Sequence, residues 1–490
     1  MPLQKHILSK STFMYGCQCT KRLYLHKYKR KWRNPEDEQQ QSIFDSGTGI
    51  GELAQNLFKG GVDASPPNPF SYQESVELTK KLIIQGETII YEATFQYEGV
   101  LCALDVLVKK GSQWYAFEVK SSTGVKEQHV QDAALQYFVV TSSGLPLADI
   151  SIIYINKEYI RKGELDIHQL FNSQSILAEV LLEQPLILSK INELKEVLAQ
   201  KEIPVKDIGP HCHSPYACDF TDHCWAHMPK ENSIFDLSRG PGWELYTAGY
   251  KHLDEIPLDY KMGNKALTQL THHRTGDIYV DKGSIKDFLK PLTYPLYFFD
   301  FETIMPGIPE FENSRPYQQI PFQFSLHVQR CENSELEHYE FLGDGLTDPR
   351  PRLLKSMLDL LGKTGSIICY NMSFEKSRIN ELAITYPEYE IELLAINDRV
   401  LDLMVPFQKR WYYNPAFKGS YSIKAVLPVF VPDLKYSDLE IQEGGTASLV
   451  YSQLKYQDES TANVQRKQLL AYCKLDTLAM VKILRKLVLL

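Results

Sequence analysis

Three groups of residues in this 490-residue chain have the types and spacing to do chemistry. In LDVLVKKGSQWYAFEVKSS, Asp105 falls on one apolar run and Glu118 and Lys120 on the next. Side chains two apart on a strand share a face, so Glu118 and Lys120 point the same way, across a hairpin from Asp105. Carboxylates so placed can hold Mg2+ or Mn2+ and stabilise a developing oxyanion, while a neighbouring lysine orients the attacking water. Those are the needs of phosphodiester hydrolysis. E-x-K alone is common in surface hairpins. The order is more specific: acidic strand, turn, E-x-K strand, then a helix with Gln131, Asp132 and Gln136.

A second acidic set lies toward the carboxyl terminus. YFFDFET puts Asp300 and Glu302 on one face of a strand, and ICYNMSFEKSRI puts Glu375 at a helix start, with Asn371 four residues before it. In LLAYCKLDTLAM, Tyr472 and Asp476 are one helical turn apart. Four carboxylates from three segments can clamp two metals for in-line attack on phosphate, with the tyrosine placed to orient or deprotonate the water. Asp402 is a further carboxylate nearby, and residues 417–428, polar and aromatic, are a candidate for substrate contact.

The third group is sulfur. Cys212, Cys218 and Cys224 form a Cys-x5-Cys-x5-Cys run, and Cys17 and Cys19 stand far upstream. Three clustered thiolates and a distant one make the four ligands of an iron–sulfur cubane. His211, His213, His223 and His227 crowd the same run, which keeps zinc open. Cys102, Cys331, Cys369 and Cys473 lie in or beside apolar runs and read as core residues.

The elements that must position these groups are mixed. Apolar runs at Thr88–Phe95, Val100–Val108 and Trp114–Ser121 predict neighbouring strands, the last two a hairpin; Ile150–Ile155 is another strand. Helical spacing covers 125–140 and 174–200. Residues 231–293 are more polar, and 245–257 has a helix, Gly turn, helix pattern. YPLYFFDFE, from 294, opens a second α/β unit. Lys plus Arg is 53 and Asp plus Glu is 61, a net charge of -8 that by itself argues against a nucleic-acid partner. Yet residues 1–34 hold nine Lys/Arg and no acid, interleaved with Phe13, Tyr15, Tyr24, Tyr28 and Trp32. Such a strip either tracks a phosphate backbone or is a solvated amphipathic helix; it ends at the PEDE turn, residues 35–38. Nine cysteines and no apolar leader fit a soluble cytoplasmic protein with no membrane contact, not a secreted disulfide framework.

Residues 85–140 resemble the PD-(D/E)xK nuclease superfamily, and within it the RecB-like nucleases. Asp105, Glu118 and Lys120 fall on the D…ExK core and Gln136 on the glutamine of the following helix. Many relatives carry a His metal ligand after an earlier glycine; here GTGIGELAQ (47–55) offers Gly51 and Glu52 instead, and Val140 stands where a Tyr is usual. Glu92 or Glu52 would complete the metal shell. The cysteines resemble those of iron–sulfur RecB-like members, including AddB and the CRISPR adaptation nucleases. That resemblance implies a 4Fe-4S cluster on Cys19, Cys212, Cys218 and Cys224, since Cys19 precedes Lys-Arg-Leu-Tyr as the family's first cysteine does. Residues 294–490 resemble the DEDD exonucleases of the RNase H-like fold, in the variant with a tyrosine. Asp300 and Glu302 match the first motif, Glu375 the second (where Asp is usual), and Tyr472 with Asp476 the third. The combination is similar to a bacterial family of fused nucleases.

The expectation is thus an α/β multidomain chain in three parts. Residues 1–230 form an iron–sulfur PD-(D/E)xK domain with a restriction-endonuclease-like fold. Residues 231–293 form a small helical connector that contacts DNA backbone, and 294–490 an RNase H-like exonuclease domain. The expected activity is metal-dependent hydrolysis of DNA, single-stranded or at duplex ends, with Mg2+ or Mn2+, in repair, recombination or defence. RNA is an alternative substrate, and a nucleic-acid-binding scaffold with one or both sites inactive is the alternative function.

Overall fold

The computed structural model describes residues 7–35, 38–68 and 71–490, with only the backbone described for 38–46. Lys5 of the basic strip, and Glu36 and Asp37 of the PEDE turn, lie outside the described residues. The chain is a mixed α/β protein that divides into two compact units: Met1–His227 with Gly307–Tyr317, and Met228–Pro306 with Gln318–Leu490.

The first unit is built on a seven-stranded sheet. Its strands are β1 (Leu8–Ser9), β2 (Val62–Asp63), β3 (Ile89–Tyr97), β4 (Val100–Lys110), β5 (Gln113–Lys120), β6 (Leu147–Ile155) and β7 (Phe171–Ser175). They run in the order β2-β3-β4-β5-β6-β7, with β1 pairing in parallel beside β4. The pairs β3–β4, β4–β5 and β6–β7 are antiparallel, and β5–β6 is parallel. Both faces are covered, which is why the strands read as near-continuous apolar runs. On one face Leu104, Ala116 and Ile152 pack with Ala133 and Leu135 of the helix Glu127–Ser142 and Ile191 of the helix Leu177–Ala199. On the other, Val106, Phe117 and Ile153 pack with Ile50 and Ala54 of the helix Glu38–Gln55.

The second unit holds β8 (Tyr279–Val280), β9 (Leu296–Ile304), β10 (Ile320–Gln329), β11 (Leu336–Leu342), β12 (Ser366–Cys369), β13 (Val400–Asp402) and β14 (Tyr412–Tyr413). The main sheet runs β11-β10-β9-β12-β13; the first three strands are antiparallel, and β12 and β13 add in parallel. Strands β8 and β14 form a separate ribbon. The helix Glu459–Val488 crosses the sheet, bonding β10 through Gln323 Nε2 to the Leu469 carbonyl (2.9 Å) and Ser325 Oγ to Thr477 Oγ1 (2.7 Å).

Residues 231–293 carry the helices Gly242–Thr247, Asn264–Thr275 and Lys282–Leu289 besides β8. The helix, Gly turn, helix reading of 245–257 needs correcting. Gly249 does turn the chain (φ 93), but the second element is one 3-10 turn, Leu253–Glu255. His252 and Glu255 cap that turn reciprocally, which fixes it without a following helix. Among the described residues, no helix is long and apolar enough to cross a membrane.

Candidate functional sites

In the first unit, the sheet register brings the acidic set together. Val106 faces Phe117 across β4–β5, and Asp105 Oδ2 accepts the Val119 N–H at 2.6 Å. The β3–β4 ladder passes from Tyr91↔Val106 to Ala93↔Leu104, leaving Glu92 (φ 52) and Asp105 outside regular pairing and opposite one another. Glu92 is thus part of the set, whereas Glu52 lies exposed on its helix. Glu118 is 2 % exposed. Its Oε1 receives both Lys10 Nζ and Lys120 Nζ at 2.7 Å, and its Oε2 accepts Gln136 Nε2 at 3.0 Å. Lys120 also bonds Asp132 at 2.7 Å.

The electrostatics follow. Burial pushes Glu118 up, but Lys10 and Lys120 outweigh it and hold the carboxyl below its ordinary value. Burial and the Glu118 charge push Asp105 up. Burial, then Asp105, lifts Glu92 to about 8. Burial opposes the charge on Lys10, yet Asp132, Glu118 and Asp105 raise it well above its usual value. Lys10 is the member that pattern reading missed as a site residue. It arrives because Leu8 and Ser9 pair with Val100 and Leu101, and Ser9 then caps the helix Lys10–Gln18.

The same helix leads to the cysteines. Cys19, Cys212, Cys218 and Cys224 all line one small cavity. Cys17 instead packs against the sheet core, where burial pushes its thiol to about 11. The segments are fastened by ordinary bonds. Gln18 Nε2 donates to the carbonyls of His211 and Tyr216, both at 2.7 Å, and Asp219 pairs with Arg22 (2.9 Å) and Arg33 (2.8 Å). Asn34 Nδ2 donates to Thr221 Oγ1 at 2.7 Å, and Trp32 stacks on His223. Burial raises Cys218 to about 11; burial also raises Cys224, with Cys19 and Cys212 adding to it. Clustered thiols that disfavour each other's ionisation suit a cationic centre, which reverses that balance. Four cysteine ligands are a donor set that both a zinc ion and a 4Fe-4S cubane use.

Part of the basic strip is spent on contacts within this unit. Arg22 and Arg33 serve Asp219, Lys10 serves Glu118, Phe13 is buried, and Tyr24 and Tyr28 donate to the carbonyls of Lys201 and Leu198. Lys27, Lys29, Arg30 and Lys31 remain exposed. Of the four cysteines read as core, Cys102, Cys369 and Cys473 are buried; Cys331 is exposed, because the chain turns away from the sheet just past β10.

In the second unit, Asp300, Glu302 and Asp476 offer ligand atoms within 4.8 Å of one another. Glu375 lies outside that radius, but its charge raises Asp300 and Glu302. Burial comes first in every case: with neighbouring carboxylates it pushes Asp300 well up and Glu302 to about 8, and alone it accounts for Asp476 at about 7. Burial and Asp402 raise Glu375. Glu375 Oε2 and Asp476 Oδ2 are buried with no hydrogen-bond partner. Asp402 is occupied otherwise, accepting the N–H groups of Asn371 (2.9 Å) and Met404 (3.0 Å). Tyr472 is 4 % exposed, and burial, Asp476 and Glu302 push its phenol far up.

Two partners were not singled out by the motifs. Tyr436, on the 3-10 turn Tyr436–Asp438, donates to Asp476 Oδ1 at 2.5 Å. Lys424, inside the polar segment 417–428, lies over the rings of Tyr436 and Tyr472 and eases the ionisation of Glu302 and Asp476. Only that segment's composition pointed to Lys424; nothing local marked Tyr436.

Comparison with known proteins adds the following. The chain is 28 % identical over 294 residues to "Uncharacterized protein MG366" of Mycoplasma genitalium, covering 52 % of this chain and 43 % of that protein. It is 30 % identical over 293 residues to the MG366 homolog of Mycoplasma pneumoniae, covering 52 % and 44 %. It is 29 % identical over 195 residues to "Uncharacterized protein UU173" of Ureaplasma parvum, covering 35 % and 28 %. The chain thus spans less than half the length of these relatives. Residues 297–422, which include Asp300, Glu302 and Glu375, match the family model described as "Domain of unknown function (DUF2779)", and the chain is a distant homologue of the mycoplasmal proteins.

Proposed function

We propose that the chain is a metal-dependent nuclease, an exonuclease acting on DNA, whose cutting centre is Asp300, Glu302, Glu375 and Asp476. One observation carries the reading: buried carboxylates crowd together with two oxygens unpartnered. Burying such charges is costly unless cations arrive to pair them. Mg2+ or Mn2+ held by Asp300, Glu302 and Asp476 would stabilise charge on the attacked phosphate. Tyr436 fixes the Asp476 carboxylate, protonated Tyr472 is suited to orienting a water, and Lys424 is suited to a phosphate oxygen. The mixed five-stranded sheet with Asp300 and Glu302 on its central strand supports the RNase H-like resemblance.

The first acidic set supports the PD-(D/E)xK resemblance, with Glu118 bonded to Lys120 and Gln136 and Asp105 to the Val119 N–H, but a specific observation favours a non-cutting role for it. Lys10 already neutralises Glu118 where a metal would bind. We read this unit as a nucleic-acid-binding partner of the cutting centre. A 4Fe-4S cluster on Cys19, Cys212, Cys218 and Cys224 would lock its amino-terminal helices to the segment 211–224. DNA repair, recombination or defence are the settings this chemistry suits, and RNA is the alternative substrate.

The test is cleavage of labelled single-stranded DNA, duplex DNA and RNA with Mn2+. Asp476→Asn is expected to lower the rate by about a thousandfold, and Asp105→Asn by far less. A parent protein that cuts none of these substrates overturns the nuclease reading, and cutting that depends on Asp105 but not Asp476 overturns the assignment of the centre.

A further inference from the structure

One helix of the first unit and one groove of the second are each left open, and their chemistry is complementary. The helix Leu177–Ala199 buries Val180, Ile187, Ile191 and Leu194 against the sheet. A surface helix ordinarily turns polar residues outward. This one does the reverse over its first three turns: Leu181, Leu182, Leu186 and Leu188 are all exposed, Leu182 by 79 % and Leu186 by 64 %. Leu182 and Leu186 stand one turn apart, and Glu179 and Glu183, also one turn apart, run beside them. Among the described residues, neither glutamate pairs with a cation.

The groove, of about 1100 Å3, is formed by the helix Lys282–Leu289, the start of β9, the turn after β10 and the last turns of the helix Glu459–Val488. Ile285, Phe298, Leu484 and Leu487 line it, each at most 3 % exposed, and Val488, 63 % exposed, carries the apolar wall out to the surface. Three cations line the same groove: Lys282 and Lys286, one turn apart on their helix, and Arg485. All three are exposed, and among the described residues none pairs with a carboxylate. One acid, Glu332, stands against them in the wall. No residue of the acidic centre lines the groove. Its volume exceeds the roughly 300–1,000 Å3 typical of small-molecule sites and suits a helix laid along it.

We propose that this groove receives the helix Leu177–Ala199 of a second copy of the chain. Leu182 and Leu186 enter between the apolar walls as anchors one turn apart, the way an amphipathic helix fills a groove. Glu179 and Glu183 then meet Lys282 and Lys286, whose spacing along their own helix is the same single turn. The groove calls for an occupant that is helical, apolar and acidic along one flank, and the open face of Leu177–Ala199 has all three properties. The contact joins different surfaces of the two copies. Each copy therefore keeps one surface free, and association either closes into a ring or continues. The inference stands independently of the nuclease reading.

The experiment is sedimentation velocity of the full-length chain over a range of concentrations. The parent is expected to gain mass with concentration, in steps of one chain. Two double variants change exposed side chains: Leu182→Glu, Leu186→Glu spoils the helix face, and Lys286→Glu, Arg485→Glu reverses the charge of the groove. Each alone should stay monomeric where the parent assembles, and in dilute solution should unfold at the parent's temperature. Mixed in equal amounts they should form a particle of two chains and nothing larger, because the first keeps its groove and the second its helix face. Variants that assemble as the parent does, or a mixture that forms no two-chain particle, overturn the proposal. So does a parent that stays monomeric at its highest soluble concentration, which leaves the groove to a different protein or an amphiphile.

Discussion

Lys10 Nζ and Glu118 Oε1 lie 2.7 Å apart although 108 positions separate them in the chain. That contact divides the two acidic sets. In the first unit, Glu118 shares two lysines, and Lys120 reaches on to Asp132. In the second, Lys424 eases the ionisation of Glu302 and Asp476, yet both of these and Asp300 are raised rather than lowered. In the first set two lysines compensate Glu118, although Asp105 and Glu92 are raised; the second set has no such pair of lysines, and on the proposed function cations from outside would compensate it.

Lys10→Ala should therefore destabilise the first unit. Removing one partner of a buried pair leaves charge stranded, at a cost of about 3 kcal/mol, softened here because Lys120 remains. Adding Glu118→Gln should recover a large part of that loss. Urea unfolding followed by a probe in the first unit measures both; a loss below about 0.5 kcal/mol, the scale of a surface pair, would show that Lys10 is dispensable.

The acidic centre sets a pH dependence with a definite sign. Its carboxyls have folded values above the unfolded value of about 4, with Glu302 near 8 and Asp476 near 7. The folded state keeps protons that the unfolded state has lost, so stability is fully present below pH 4 as far as these groups go, and falls as pH rises toward 8. In EDTA the second unit should be less stable at pH 8 than at pH 6. Mn2+ should stabilise it more at pH 8, because binding displaces those protons. Glu302→Gln should raise the unfolding temperature at pH 8 in EDTA while weakening Mn2+ binding. Equal Mn2+ stabilisation at both pH values would contradict this account.

How much of this was legible depends on the range of each interaction. Asp300 with Glu302 is a period-two pair, and Tyr472 with Asp476 a one-turn pair, so strand and helix geometry alone put each on one face. Strand existence was equally readable: β3, β4 and β5 lie within a few residues of the apolar runs. Lys10 was not readable, because a two-residue strand pairing with β4 leaves no pattern. Tyr436 was not either, since a 3-10 turn has no periodicity and its contact spans 40 positions. The amino-terminal aromatics look the same in sequence whether they stack on bases or, as Tyr24 and Tyr28 do, cap the carbonyls of Lys201 and Leu198.

The cysteines give a prediction that separates neighbours. Cys19→Ser should abolish iron–sulfur absorbance in protein prepared without air, and Cys17→Ser should leave it, because only Cys19 lines the cavity of the other three. Loss of the cluster should loosen the segment 211–224 without unfolding it, since Gln18, Arg22 and Asn34 still hold it. Hydrogen exchange of that segment reads the second effect; metal analysis showing stoichiometric zinc and no iron would reject the cluster.

Tyr436 offers the sharpest test of how the proposed cutting centre is held. Its phenol donates to Asp476 Oδ1, while Asp476 Oδ2 has no hydrogen-bond partner. Tyr436→Phe removes a hydrogen bond to a charged group, worth about 1.5–3 kcal/mol, but leaves the ring that packs 6.2 Å from Tyr472. If the hydroxyl positions the carboxylate, the maximal rate should fall by about tenfold to a hundredfold, with Mn2+ dependence shifted to higher concentration and KM for the strand little changed. If it serves folding alone, the variant should lose stability with its Mn2+ dependence intact. Tyr472→Phe should differ from both, since its hydroxyl has no carboxylate bond to lose. Its rate should fall at saturating Mn2+ with the metal dependence unmoved, as expected when the phenol orients water rather than a metal ligand.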